Sequence, residues 1–151
     1  MYAYKRILVP TDGTPLSLKA VREAASLAKG LKATIAAVYV KAPWTPPMVV
    51  DAPPLPAEAF DERAYLVAAE ATAQAALGKV RAAADKAKVR CETFAVTDDE
   101  PWKGIVKTAR AKKCDLIVMA SHGRTGVAAA LLGSETRKVL AHATKPVLVC
   151  H

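Results

Sequence analysis

The chain contains no run of 18 or more apolar residues, which excludes a membrane-spanning helix. Its first residues, Met1-Tyr2-Ala3-Tyr4-Lys5-Arg6, lead directly into a strand-like segment. They lack the basic region, apolar region and cleavage site of a secretory signal, so the expected compartment is the cytosol. Cysteine is scarce: Cys91, Cys114 and Cys150 are odd in number, far apart and form no C-x-x-C. That excludes a disulfide framework or zinc ribbon and leaves three reduced thiols packed near strands. His122, His142 and His151 have no metal-ligand spacing. Neither G-x-x-x-x-G-K-[ST] nor G-x-G-x-x-G occurs, so P-loop NTPases and standard dinucleotide-binding domains are excluded. No G-x-S-x-G elbow marks a hydrolase, and the adjacent Ser121 and His122 are poorly placed to act on one another as nucleophile and base. There is no zinc-finger, recognition-helix or RNP-like pattern and no internal repeat, so nucleic acid is not an expected partner.

What remains is a chain of 151 residues, 52% hydrophobic and 24% charged, enough for one domain with a sizeable core. Its net charge of +8 is unevenly spread. Residues 1–50 carry seven basic and two acidic groups, residues 51–100 six and ten, residues 101–151 nine and two. Two basic ends flank an acidic middle. Such a surface favours anions without choosing among them.

Apolar strands alternate with helical segments. Tyr4–Pro10 reads as a buried strand stopped by proline. Thr11-Asp12-Gly13-Thr14 is a turn in which Thr14 caps a helix and Pro15 takes its first position. Val21, Ala24, Ala25, Ala28 and Leu31 recur at helical spacing, and Thr34–Lys41 is a second strand. Residues 42–56 hold six prolines and read as a long exposed loop. From Ala57 to Lys88 the composition predicts one long helix. Arg90–Val96 is a third strand, and Pro101 opens a helix behind Asp98, Asp99 and Glu100. Trp102, Ile105, Val106 and Ala109 share one face of that helix. Leu116–Ala120 is a fourth strand, residues 121–133 are mostly loop, and Ser134 starts a last helix with Thr136, Val139, Leu140 and Ala143 on one face. Val147–Val149 ends the pattern. This β-α-β-α-β-α-β-α-β order implies an α/β fold, a doubly wound five-stranded parallel sheet with helices on both faces. One domain over residues 1–151 accounts for all of it.

In such sheets ligands bind beyond the carboxyl ends of the strands, where the strand order reverses. Two loops have suitable content: Pro10-Thr11-Asp12-Gly13 after the first strand, and Ser121-His122-Gly123-Arg124-Thr125-Gly126, continuing to Gly133-Ser134, after the fourth. Glycines let backbone N–H groups approach an anion, and Gly133-Ser134 opens a helix whose N-terminus attracts negative charge. The Ser134 hydroxyl has two readings, a phosphate contact or the cap of its own helix. Asp12 likewise either accepts from ribose hydroxyls or shapes its own turn. Arg124 is either a γ-phosphate contact or a solvated loop residue. From the residues alone the site is an anion or mononucleotide site.

The whole chain resembles the universal stress protein family. The likeness lies in Ile7-Leu8-Val9-Pro10-Thr11-Asp12-Gly13, in Asp115-Leu116-Ile117-Val118-Met119-Ala120-Ser121-His122-Gly123-Arg124-Thr125-Gly126, in Leu131-Leu132-Gly133-Ser134 and in Lys145-Pro146-Val147-Leu148-Val149. The resemblance implies strand order 3-2-1-4-5, with the switch point between the first and fourth strands. It extends to the ATP-binding branch, whose pattern is G-x-x-G, nine residues, then G-[ST]. Gly123, Gly133 and Ser134 match it, and Ala120 stands where the first glycine would be. The resemblance therefore implies an ATP-type ligand (ATP, ADP or AMP, with or without Mg). Asp12 would hold the ribose, the Val40 backbone would meet adenine and Met119 would pack near the base. Ala120, Ser121, His122, Gly123, Gly133, Ser134 and the Glu135 amide would surround ribose and phosphates, and Pro10 and Thr11 would shape the first wall.

Three function classes follow: a nucleotide-binding stress-response or regulatory switch, a dimeric interaction module without nucleotide, and an enzyme on the same scaffold. The glycine loop favours the first. No general base or metal-binding carboxylate pair is evident, so at most slow ATP hydrolysis is expected. The resemblance also implies a homodimer, through pairing of the Val147-Leu148-Val149 strand.

Overall fold

Five parallel strands form one sheet in the order β3-β2-β1-β4-β5, as the resemblance implied. The computed structural model describes residues 3–48, 50, 51, 53–122 and 131–151. β1 (Arg6–Pro10), β2 (Thr34–Lys41), β3 (Cys91–Thr97), β4 (Leu116–Ala120) and β5 (Val147–Cys150) alternate with α1 (Pro15–Leu31), α2 (Glu62–Ala87), α3 (Pro101–Ala111) and α4 (Ser134–His142). β1 is central: Ile7 lies opposite both Ile35 of β2 and Leu116 of β4.

Successive side chains of a strand point to opposite faces, and the two faces of β1 feed two cores. Ile7 and Val9 pack with Val21 and Ala24 of α1 and with Leu77 and Val80 of α2. Leu8 packs on the other side with Ile105 and Ala109 of α3 and Val139 of α4. The strands read as continuous apolar runs because both faces are covered. The many alanines of α1 and α2 let these helices lie close to the sheet: Ala20, Ala24, Ala28, Ala73 and Ala84 are fully buried.

The segment expected as one helix from Ala57 to Lys88 is divided. Ala57–Phe60 is a 3-10 turn, and Asp61 stands outside the helical region with φ −82° and ψ 92°. Its carboxylate accepts from the Ala64 amide, so Asp61 caps α2. No residue of α2 before Ala73 is buried. Lys88, at φ 59°, ends the helix in the left-handed region, its amide donating to Ala84 and Asp85. The first strand starts at Arg6 rather than Tyr4, and Leu140 of α4 is exposed rather than part of the inner face. Among the described residues no helix is long and apolar enough to cross a membrane.

Candidate functional site

β1 and β4 are neighbours, yet their chains leave them in opposite directions across the sheet. β1 feeds α1 and then β2 on one side; β4 feeds α4 and then β5 on the other. A crevice opens between the diverging connections. It holds a cavity of about 310 Å³. Its walls come from the end of β1 (Pro10, Thr11, Asp12), the end of β2 (Val38, Tyr39, Val40), the end of β4 (Met119, Ala120, His122) and the first turns of α3 and α4. Of the residues singled out from sequence, Pro10, Thr11, Asp12, Val40, Met119, Ala120, His122, Gly133, Ser134 and Glu135 all line it. Ser121 is buried and does not line it. Gly123 and Arg124 lie outside the described residues.

The loop after β1 is held by a chain of hydrogen bonds. The Thr11 hydroxyl accepts from the Gly13 amide at 3.1 Å and meets the Ser17 hydroxyl at 2.8 Å in a buried pair. Asp12 Oδ1 accepts from both the amide (2.9 Å) and the hydroxyl (2.6 Å) of Thr14. Thr14 Oγ1 in turn caps α1 by accepting from the Ser17 amide. Asp12 is therefore a turn-forming residue and a cavity-lining residue at once. Gly13 sits at φ +80°, where a side chain is strained, with the Ala76 Cβ of α2 only 3.4 Å from where its own would be.

On the β4 side, the Ser121 amide donates to Cys150 and the Ser121 carbonyl accepts from the Gly133 amide, both at 2.8 Å. The Ser121 hydroxyl lies 3.1 Å from His122 Nδ1. The extended Gly133 occupies the N-cap position of α4 and has no side chain with which to cap the helix. Ser134 is the first helical residue, so its hydroxyl does not serve as the cap. The leading amides of a helix have no partner within it, and here those of Ser134, Glu135 and Thr136 begin at the cavity wall.

Six lining residues were not singled out as site residues: Ser17, Val38, Tyr39, Pro101, Ile105 and Thr136. Thr136 is buried and donates its hydroxyl to the Ala120 carbonyl, tying α4 to the end of β4. Pro101 and Ile105 bring the first turn of α3 to the cavity, and Ser17 reaches it from α1. Pro101 carried a visible signal as a helix start, but only the fold shows that this start faces the switch point. The Glu135 carboxylate leaves the cavity to accept from the Trp102 amide at 2.8 Å, capping α3 from α4. Trp102 also stacks on His142, at 4.2 Å between ring centroids. At the end of β3, a hydrogen bond from Lys107 holds the Asp98 carboxyl well below the usual carboxylate range. Asp98 also accepts from the Glu100 amide and so shapes the approach to α3.

A profile of the universal stress protein family matches residues 3–151, and the chain belongs to that family. A universal stress protein of Methanocaldococcus jannaschii is 39% identical over 149 residues, covering 97% of this chain and 81% of the relative. One from Bacillus subtilis is 31% identical, covering 97% and 98%. Among solved structures, universal stress protein UspA from Lactobacillus plantarum superposes with TM-score 0.79 at 26% identity over the whole of both chains. A universal stress protein in complex with cAMP superposes with TM-score 0.68 at 25% identity, covering 99% of this chain and 98% of that one.

The packing at Gly133 gives a test. A Cβ there would fall 2.9 Å from His122 Cβ and 3.0 Å from His122 Cα, against backbone that has little room to move. Gly133→Ala is expected to destabilise the fold by roughly 1–3 kcal/mol, the usual cost of overpacking. Gly78→Ala, in the interior of α2 with nothing within 4 Å, is expected to stabilise it by about 0.5–1 kcal/mol. Urea unfolding of both variants measures the contrast, and equal midpoints would contradict the packing described.

Proposed function

We propose that this protein is a nucleotide-binding stress-response protein of the ATP-binding type, acting as a molecular switch, with an adenine nucleotide (ATP, ADP or AMP) as its ligand. The observation that carries this reading is the convergence of Asp12, Val40 and the N-terminus of α4 on one cavity at the switch point. The parts suit the pieces of a nucleotide. Val40, Ile105 and Met119 offer apolar surface to a base. Asp12 brings a carboxylate to the cavity wall, a group of the kind that accepts from ribose hydroxyls. The helix N-terminus suits phosphate oxygens. The similar protein in complex with cAMP, an adenine nucleotide, supports the same choice. Among the described residues no group of three His, Cys, Asp or Glu is placed to hold a metal. Mg²⁺ would therefore arrive as the counterion of the ligand's phosphates.

The experiment is mass spectrometry of ligand released from the denatured purified protein, with calorimetric titration of ATP, ADP and AMP. The expected result is a co-purified adenine nucleotide, or binding below millimolar concentration that is lost in Gly133→Val. No released nucleotide and no binding at millimolar ATP would instead favour a dimeric interaction module.

The same reading includes a homodimer and a cytoplasmic location. Among the described residues β5 pairs only with β4, no described strand covers its other edge, and Leu148 on it is 44% exposed. An open apolar edge is a template for pairing with a second strand. Light scattering at micromolar concentration should give a dimer mass, and a monomer mass would refute the pairing.

A further inference from the structure

Gly104 lies buried inside α3, and the side chain of Val40 rests against it. A Cβ at this position would stand 2.7 Å from Val40 Cγ2, 2.8 Å from Cγ1 and 3.4 Å from Cβ. Carbon atoms in contact ordinarily sit about 3.5–4 Å apart, so both methyl groups occupy space that any other residue would fill. The backbone does not explain the glycine, because Gly104 lies inside a helix, where glycine costs about 0.5–1 kcal/mol relative to alanine. Space explains it. Both sides of the contact are walls of the cavity: Val40 from the end of β2, and Pro101 and Ile105 flanking Gly104 on α3.

We propose that Gly104 is a specificity-determining residue, whose missing side chain lets the Val40 isopropyl group withdraw against α3 and leaves the base pocket wide enough for a purine. The proposal rests on the nucleotide reading of the cavity. One added carbon between β2 and α3 must be accommodated by one wall or the other. If Val40 yields, it moves toward the base; if α3 yields, Pro101 and Ile105 lose their place against it. A bicyclic purine reaches the end of the pocket and meets either change, whereas a single-ring pyrimidine meets it less.

Calorimetric titration with AMP and CMP tests this on the full chain. Wild type should prefer AMP. Gly104→Ala should weaken AMP by about tenfold or more, the usual scale for one methylene in an apolar pocket, and CMP much less. Val40→Ala/Gly104→Ala, in which the new Cβ takes the space of the lost methyls, should regain most of the AMP affinity. Val40→Ala alone should widen the pocket and improve binding of N6-benzyl-AMP relative to AMP, a readout that stands even if Gly104→Ala fails to fold. Unchanged AMP affinity in folded Gly104→Ala, equal losses for AMP and CMP, no recovery in the double variant, or an unmoved N6-benzyl preference would each overturn the proposal. Wild type that binds neither AMP nor CMP would remove the nucleotide reading itself and this proposal with it.

Discussion

The pairing of β1 with β4 in the middle of the sheet is the constraint on which the site depends. Right-handed crossovers send the chain from β1 to one side and from β4 to the other. The two connections must part, and the ends of both strands are left facing one crevice. Everything at the site is attached to this divergence. The Thr11 amide still bonds to Val38 on β2, and the Ser121 amide to Cys150 on β5, so each loop leaves its strand from a fixed point. The apolar cores on either side keep β1 and β4 together, and the crevice is the consequence.

Charge at the crevice is held by both backbone and side-chain partners. Among the described residues that line it, Asp12 and Glu135 are the carboxylates, and no lysine or arginine joins them. Each carboxylate is engaged: Asp12 by Thr14, and Glu135 by the Trp102 amide with Lys138 Nζ 3.5 Å away. The amide dipoles at the start of α4 face the same crevice. Because Glu135 caps α3 from α4, the helix that would meet phosphate is tied to the helix that walls the base pocket. A ligand spanning both would be read by one connected frame.

Much of this was legible in the residues. Strand and helix order followed from apolar runs and proline punctuation, because both faces of the sheet are covered and the strands have no polar side. The loops after β1 and β4 stood out because glycine, aspartate and histidine cluster there between apolar segments. Other features were not legible for physical reasons. Asp61 divides the stretch 57–88 through a single side-chain bond that composition does not reveal. Leu140 fits the helical period of α4 yet points outward, because that short helix buries only a narrow stripe around Thr136 and Val139. Gly104 and Val40, 64 positions apart in the chain, meet only because α3 crosses the end of β2. The residues left Ser134 open as either a phosphate contact or a cap, and only the backbone shows that Gly133 takes the cap position.

The central claim, that an adenine nucleotide occupies the crevice between the diverging loops, is tested most directly by titrating isotope-labelled protein with AMP and following backbone amide resonances. The account predicts shifts concentrated at Thr11 to Thr14, at Val38 to Val40 and at Ser134 to Thr136. Shifts confined to the opposite end of the sheet, around the cleft of Arg110, Lys113 and Lys145, would contradict it.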